Sequence, residues 1–257
     1  MRSRLPNAEL YVVLSSGGLT TPQQAAAVRL PARAPRAAPP AAGPEPARTA
    51  GLRLSSVRTD GLPGSAFPLE PGETICGRTE GAIRILDDCT ISPRHARFTA
   101  AADRLTVEDL GSVNGTYVRI RAPRQVAPGE EFRIGRQLLR IEPVSRPAAP
   151  DGAARPWGGP DPGFRLRVAQ VLEGGGLGDV RPLREGDNAV GRDAGDVTFP
   201  GDRYVSARHA RIDVSGPVAI LTDLGSSNGT FLRISGPTAL VPGDQLLIGA
   251  QLLRVEA

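Results

Sequence analysis

A duplication constrains this chain more than any other feature of its sequence. The segment DLGSVNGTYV at 109–118 recurs as DLGSSNGTFL at 223–232. Sliding 77–142 onto 191–256 gives 28 identities in 66 positions, at a constant offset of 114 residues. That offset is far longer than the period of roughly 20–50 residues that solenoid repeats show. The chain therefore carries a duplicated domain, and the sequence predicts one recognition function performed twice.

The duplication and the composition around it divide the chain into four parts. Residues 1–50 are rich in Ala, Pro and Arg. They are predicted to be a disordered tail, because they bury too little apolar surface to offset the entropy of ordering. The two copies are predicted as domains at 51–143 and 164–257. Between them, residues 144–163 are predicted to be a linker, because they are rich in Pro and Gly.

Short segments with strand-like apolar patterns fill each copy and predict an all-β fold. LRLSSV at 52–57, RLTVEDL at 104–110 and LLRIE at 138–142 have strand length and alternating or clustered apolar residues. Asn-Gly and Pro-Gly turn signals separate such segments. We expect two antiparallel β-sandwiches in tandem, preceded by the tail. Loops at one end of each sandwich are the expected place for binding residues.

The charge distribution argues against nucleic-acid binding. The net charge is +4, and residues 1–50 alone hold six Arg against two acidic residues, so the excess lies in the tail. Neither copy therefore has the basic face that binding to a duplex requires. No apolar stretch approaches the ~18 residues of a membrane-spanning helix, so no membrane partner is expected either.

The two cysteines argue against a metal site and for a reducing compartment. Cys76 and Cys89 stand where the second copy has Val190 and Arg203. A pair present in only one copy is not a disulfide framework, and two cysteines alone cannot form a zinc site. We expect free thiols, no metal, no cofactor, no secretory signal and a cytoplasmic location.

Five short motifs occur in the same order in both copies. They are a Gly-Arg pair, Ser-x-Arg-His, DLGSxNGT, Pro-Gly and Ile-Gly. In this order and spacing they resemble the forkhead-associated (FHA) domain, over about 51–143 and 164–257. The resemblance implies sandwiches of about eleven strands each that bind phosphothreonine peptides through loops at one edge.

The resemblance implies binding roles that agree with side-chain chemistry. A guanidinium beside a glycine turn can bind a phosphate dianion as a rigid fork, and a serine hydroxyl can donate to another phosphate oxygen. An asparagine amide can hold an extended peptide backbone. The residues predicted to bind phosphopeptide are Arg78, Ser92, Arg94 and Asn114 in the first copy, and Arg192, Ser206, Arg208, Ser227 and Asn228 in the second. The residues predicted to support the loops are Gly77, His95, Gly115, Gly191, His209 and Gly229.

The two copies differ beside the expected phosphate position. Ser227 supplies a hydroxyl just before the asparagine of the second copy, whereas the first copy has Val113 there. A hydrogen bond to a charged group contributes roughly 1.5–3 kcal/mol. We therefore expect the second copy to bind phosphopeptide more tightly.

A second difference lies in the loop that precedes the binding serine, which in FHA domains reads the third residue after the phosphothreonine. That loop contains Asp87 and Asp88 in the first copy, and Asp202, Arg203 and Tyr204 in the second. Charge complementarity predicts that the second copy better accepts an acidic residue at that peptide position.

The favoured function is a phosphothreonine-dependent adaptor in Ser/Thr-kinase signalling, whose partners carry phosphothreonine. The alternative is a phosphate-independent interaction scaffold, which Val113, Pro93 and Ala207 keep open. Catalysis is not expected, because each copy has a single histidine with no paired nucleophile or ligand cluster. The sequence leaves the kinase, the partner and the oligomeric state open.

Overall fold

The predicted all-β fold is confirmed. A computed structural model of the chain describes residues 51–58, 62–101, 104–145 and 158–257. These residues form twenty β-strands and no helix. The predicted tail at 1–50 and most of the predicted linker at 144–163 lie outside the described residues.

Each repeat contributes ten strands. Those of the first repeat are β1 (Arg53–Val57), β2 (Pro63–Pro68), β3 (Gly72–Gly77), β4 (Ile83–Arg84), β5 (Ala96–Ala101), β6 (Arg104–Asp109), β7 (Thr116–Arg119), β8 (Arg124–Val126), β9 (Glu131–Ile134) and β10 (Gln137–Pro143). Those of the second are β11 (Leu166–Val171), β12 (Leu177–Leu183), β13 (Gly186–Gly191), β14 (Val197–Thr198), β15 (Ala210–Ser215), β16 (Val218–Asp223), β17 (Thr230–Arg233), β18 (Thr238–Leu240), β19 (Gln245–Ile248) and β20 (Gln251–Glu256).

One ten-stranded sheet runs through both repeats, in the order β12-β11-β10-β9-β17-β7-β19-β20-β1-β2. Two five-stranded sheets, β18-β6-β5-β3-β4 and β14-β13-β15-β16-β8, pack against its two halves. The result is two sandwiches of ten described strands each, close to the expected eleven.

The two repeats exchange their last three strands. In the first direction, β18 pairs with β6, β19 with β7 and β20 with β1. In the other, β8 pairs with β16, β9 with β17 and β10 with β11. We call β1–β7 with β18–β20 the split sandwich, and β8–β17, which is uninterrupted in sequence, the continuous sandwich.

The crossings lie at 120–123 and 234–237, where β7 and β17 pair antiparallel with Val118 opposite Leu232. The Ile120 backbone N–H donates to the Thr230 carbonyl at 2.9 Å, and that of Ile234 donates to the Thr116 carbonyl at 3.0 Å. Ile120 enters the core of the continuous sandwich, and Ile234 packs against the core of the split one.

Each sandwich has its own hydrophobic core, built by alternation along the strands. In β5, Ala96, Phe98 and Ala100 are buried while the residues between them are partly exposed. Cys76 lies in the core of the split sandwich, and burial raises the pKa of its thiol to about 12. It is a free thiol, as predicted, and so is the exposed Cys89.

The predicted domain boundaries, 51–143 and 164–257, describe the sequence repeats. The strands of each repeat are divided between the two sandwiches, so the packing units cross these boundaries. That 51–143 and 164–257 are the bounds of two separate domains stays a prediction.

Candidate functional site

A glycine at the end of one strand brings the predicted arginine against the loop with the predicted serine. A Cβ atom on Gly77 would lie 2.0 Å from the Pro93 carbonyl oxygen, so only glycine fits there. The close approach lets the Arg78 N–H donate to the Ser92 carbonyl at 2.9 Å. The second repeat has the same arrangement, since a Cβ atom on Gly191 would lie 2.1 Å from the Ala207 carbonyl oxygen. There the Arg192 N–H donates to the Ser206 carbonyl at 2.9 Å.

The buried histidines connect two loops. Nδ1 of His95 accepts from the Ser92 N–H at 3.1 Å, and Nε2 lies 3.1 Å from the Gly115 carbonyl. His209 makes the same contacts, at 3.1 Å each, with Ser206 and Gly229. Burial lowers the pKa of His209, although the Gly229 carbonyl and nearby carboxylates act against this shift. A neutral ring that accepts at Nδ1 and donates at Nε2 fits these contacts.

An aspartate that sequence reasoning did not single out organises the DLGSxNGT loop. Asp109 accepts from the Ser112 N–H at 2.8 Å, the Ser112 hydroxyl at 2.7 Å and the Thr116 hydroxyl at 2.8 Å. Burial alone would raise the pKa of Asp109, but these hydrogen bonds hold it below its ordinary value. Asp223 does the same in the second repeat, through Ser226 and Thr230. The signal was in the sequence, because this Asp-x-x-Ser spacing is an ordinary side-chain-to-backbone turn.

The serine and asparagine keep free the groups that a peptide would need. The Ser92 hydroxyl oxygen accepts from the Val113 N–H at 3.1 Å, which leaves its proton free to donate. The Asn114 amide donates to the Thr90 carbonyl at 2.7 Å. We call the cluster of Arg78, Ser92 and Asn114 site 1.

The second repeat forms the same cluster. The Ser206 hydroxyl accepts from the Ser227 N–H at 3.1 Å, and the Asn228 amide donates to the Tyr204 carbonyl at 2.8 Å. We call Arg192, Ser206 and Asn228 site 2. The structure therefore brings these predicted residues together twice, while their role in binding phosphopeptide stays a prediction. Arg94 and Arg208 are exposed beside the two sites, and neither side chain makes an ion pair or hydrogen bond within the described residues.

The arginines of the two sites differ in charge environment. Nε of Arg78 is buried and has no hydrogen-bond partner in the described part of the chain. Nε of Arg192 instead donates to the Asp193 carboxylate at 3.0 Å. The first repeat has Thr79 at the position of Asp193. Site 1 therefore presents an uncompensated guanidinium, whereas site 2 presents one already paired with a carboxylate.

Asp88 and Asp202, two of the three acidic residues in the loops expected to read the peptide, turn inward, whereas Asp87 is exposed. Which peptide residue each loop prefers stays a prediction. Asp88 is 6% exposed and accepts from the Ala250 N–H at 2.9 Å and from Gln251 at 3.3 Å. Asp202 is 5% exposed and accepts from the Arg136 N–H and from Gln137, both at 2.8 Å. The loop that carries Asp88 is thus held by the β19–β20 hairpin of the second repeat, and the loop that carries Asp202 by the β9–β10 hairpin of the first.

This hairpin also places a cation from the first repeat beside site 2. The Arg136 guanidinium lies 4.8 Å from the centre of the Tyr204 ring, and that of Arg203 lies 5.3 Å from it. Site 1 has Ala250 at the corresponding hairpin position. The strand exchange therefore decides which of the two sites receives this cation.

Within the described ranges no group of three or more His, Cys, Asp and Glu side chains is placed to bind a metal ion. The same ranges hold no helix long and apolar enough to cross a membrane.

Comparisons with known proteins agree with the geometry. A family model described as "FHA domain" matches residues 74–135 and 188–249. The oxoglutarate dehydrogenase inhibitor of Corynebacterium efficiens is 38% identical over 42% of this chain and 80% of its own length. The chain belongs to the FHA domain family.

Other relatives extend this result. The glycogen accumulation regulator GarA of Mycolicibacterium smegmatis is 39% identical over 40% of this FHA chain and 70% of its own length. The oxoglutarate dehydrogenase inhibitor of Corynebacterium jeikeium is 39% identical, and the match spans 63% of it.

Among solved structures, one from a study of phosphothreonine-dependent FHA domain interactions is 36% identical. It covers 31% of this chain and 85% of the other, with a TM-score of 0.21.

Proposed function

We propose that this FHA protein is a phosphothreonine-dependent adaptor with two reader sites, each of which binds a phosphothreonine peptide. A Ser/Thr kinase is expected to phosphorylate the partners that these sites bind. The observation that carries the proposal is the twofold convergence of an arginine, a serine with a free hydroxyl proton and an asparagine on one loop edge. A phosphate dianion bound there accepts charge-assisted hydrogen bonds from the guanidinium, which are stronger than neutral ones. The asparagine then has its carbonyl oxygen free for the peptide backbone.

Site 2 is proposed as the tighter reader. Its extra donor is the Ser227 hydroxyl, for which a contribution of roughly 1.5–3 kcal/mol is expected. Arg136 and Arg203 beside Tyr204 add positive charge next to the loop that would read the peptide. We therefore propose that site 2 prefers phosphothreonine peptides with an acidic residue three positions after the phosphothreonine.

A non-catalytic role and a cytoplasmic location are part of the proposal. The relatives named as an inhibitor and a regulator support a binding role. The free Cys76 and Cys89 support a reducing compartment.

Titration calorimetry of the whole chain with a phosphothreonine peptide mixture tests the proposal. We expect heat only with the phosphorylated mixture. Arg192→Ala should remove most of the tight binding and Arg78→Ala the weaker component. Arg181→Ala, which changes an exposed arginine in β12 paired with Asp179, is the matched control and should change nothing. Equal heat with the dephosphorylated mixture would contradict the proposal.

One observation favours the alternative scaffold function at site 1. Val113 is 84% exposed and Leu86, in the neighbouring loop, is 66% exposed. Two large apolar side chains beside the arginine suit an unphosphorylated apolar peptide. Peptide binding that survives Arg78→Ala but not Val113→Asp would assign that function to site 1.

A further inference from the structure

A cavity of about 660 Å³ lies where the two sandwiches meet, next to site 2. Its wall includes the first crossing at 119–123, the start of the DLGS loop at Asp223 and Gly225, and strands β19 and β20 at Gln245 and Arg254. A volume in the range of about 300–1,000 Å³ suits a small molecule. Because the wall combines both repeats, the cavity depends on the strand exchange.

Three arginines line this cavity, and one of them is paired with a carboxylate. Arg121 pairs with Asp244 at 2.7 Å. Arg119 donates to the neutral amide oxygen of Gln245 at 2.7 Å. Arg254 makes no ion pair or side-chain hydrogen bond with any described residue. Asp223, the acidic residue among those that line the cavity, already accepts from Ser226 and Thr230.

The duplication provides an internal comparison, because the corresponding position in the other repeat carries a carboxylate. Glu131 stands in the place of Gln245 and accepts from Arg140 at 2.8 Å and from Arg233 at 2.7 Å. Those two arginines correspond to Arg254 and Arg119. The repeats have thus kept both guanidiniums, but only one repeat neutralises them. Ser235 also stands in the place of Arg121, so the corresponding position of the other repeat has one arginine fewer.

We propose that this cavity binds a small phosphate-bearing molecule, at a site separate from the two peptide sites. Guanidinium groups bind phosphate oxygens in pairs of parallel hydrogen bonds. Neither Arg119 nor Arg254 is held in an ion pair with a carboxylate of the described residues, although Glu256 lies close enough to Arg254 to interact with it electrostatically. A ligand in the cavity should also affect site 2, because Arg119 contacts both. A Cβ atom on Gly229 would lie 2.3 Å from Nε of Arg119, so that arginine packs directly on the turn after Asn228.

The experiment uses the full chain carrying Arg78→Ala and Arg192→Ala, so that the peptide sites do not bind phosphate. Sodium pyrophosphate and a singly phosphorylated threonine peptide are titrated in parallel by calorimetry. We expect one pyrophosphate per chain, bound at least about ten times more tightly than the peptide, since charge-assisted hydrogen bonds to both phosphates are available. Tighter peptide binding would assign the cavity to a peptide and overturn the proposal.

Two variants in the same background locate the site. Gln245→Glu copies the neutralising residue of the other repeat, and Arg254→Ala removes one guanidinium; each should weaken pyrophosphate binding about tenfold or more. Arg140→Ala is the matched control, because it changes the corresponding arginine of the other repeat, and it should leave the affinity unchanged. Absence of heat in the background variant, or equal losses for Arg140→Ala and Arg254→Ala, would overturn the proposal. Phosphopeptide binding by the unmodified chain is measured separately, so failure here is distinct from failure of the reader function.

Discussion

Site 1 and site 2 have the same hydrogen-bonded frame and differ in what lies around the arginine. Arg78 makes no ion pair with a carboxylate of the described residues, but site 1 has only the Ser92 hydroxyl, because Val113 occupies the position of Ser227. Arg192 has the Ser227 hydroxyl nearby but is already paired with Asp193. The two copies therefore separate two contributions to the proposed phosphate binding that a single domain would combine.

Magnitudes decide which contribution dominates. The Arg192–Asp193 pair is exposed, with side-chain accessibilities of 37% and 54%. Exposed ion pairs typically contribute about 0–1 kcal/mol, so breaking this one for a phosphate costs little. A hydroxyl donor to a phosphate contributes roughly 1.5–3 kcal/mol. Site 2 should therefore remain the tighter reader despite Asp193.

The largest expected effect concerns the strand exchange, through which a hairpin of one repeat holds the site loop of the other. Cysteines replacing Val118 and Leu246, which lie opposite each other in β7 and β19, should form a disulfide within one chain. The loop it closes exceeds 100 residues, for which the chain-entropy estimate is about 5 kcal/mol of stabilisation. The background replaces Cys76 and Cys89 with the Val and Arg of the second repeat. Denaturant unfolding, oxidised against reduced, measures the gain.

The matched control pairs Val118→Cys with Phe132→Cys. Both residues flank Leu232, one on each side, so they lie two strand spacings apart, about 9–10 Å. That separation is too large for a disulfide. If this second pair cross-links and the first does not, β7 pairs with β9 of its own repeat and the strands are not exchanged. Each site would then be held by a hairpin of its own repeat, and the comparison above would fail.

The next effect concerns the hydroxyl. Val113→Ser should tighten site 1, and Ser227→Val should weaken site 2, each by about 10- to 100-fold, which corresponds to roughly 1.5–3 kcal/mol. Fluorescence anisotropy with one phosphothreonine peptide, in backgrounds that retain one site only, measures both. Unchanged affinities would show that this position does not contact the phosphate.

A smaller effect tests which repeat supplies the cation at site 2. Arg136→Ala should weaken binding of an acidic phosphopeptide to site 2 about fivefold at most, because the interaction lost is one between exposed charges, which contributes about 0.2–1 kcal/mol. Site 1 should not respond. Ala250→Arg, the reciprocal change, should strengthen binding of the same peptide to site 1. A loss at site 1 upon Arg136→Ala is the contrary result.

Asp193→Thr gives site 2 the residue of site 1 and sharpens the electrostatic comparison. The change removes a competing carboxylate, so affinity for phosphopeptide should rise about fivefold at most, given 0–1 kcal/mol for an exposed ion pair. The gain should shrink in high salt, which screens exposed charges. Anisotropy at two salt concentrations measures this, and a fall in affinity would mean that Asp193 orients Arg192 productively.

The smallest effect is a pH dependence of stability. The pKa of His209 is lowered on folding, so the unfolded chain binds more protons between the folded pKa and about 6.5. The stability this neutral ring contributes is present above pH 6.5 and is lost as the pH falls below it. We expect a lower Tm at pH 5.5 than at pH 7.5, and His209→Gln should flatten the difference. A Tm that rises on acidification contradicts the sign.

Sequence motifs were sufficient to predict the frame of each site. Arg78, Ser92, His95 and Asn114 meet because a glycine without room for a Cβ and a histidine with two bridging contacts fix the loops locally. The inward orientation of Asp88 and Asp202 was not predicted, because an acidic residue in a loop resembles a solvated charge. Their spacing was the missed signal, since an aspartate two residues before Thr90 or Tyr204 can accept from that residue's own N–H.

The exchange could not be predicted, for a physical reason that lies in the duplication. Gly135 and Gly249 are the same residue type, as are Gln137 and Gln251. Either hairpin can therefore satisfy Asp88 or Asp202, and a repeat that kept its own strands would make equivalent hydrogen bonds. Only the path of the chain at 120–123 and 234–237 distinguishes the two arrangements, and no local pattern records it.

The pairing of β1 with β20 gives the protein a definite order of completion during synthesis. Arg53 lies opposite Glu256, so the split sandwich joins the first described strand to the last. The continuous sandwich, by contrast, is complete once β17 has left the ribosome. The usual sequence, in which the N-terminal domain folds first, is therefore reversed. Site 2 is complete on a nascent chain that still lacks site 1, and loss of β20 should disrupt site 1 rather than site 2.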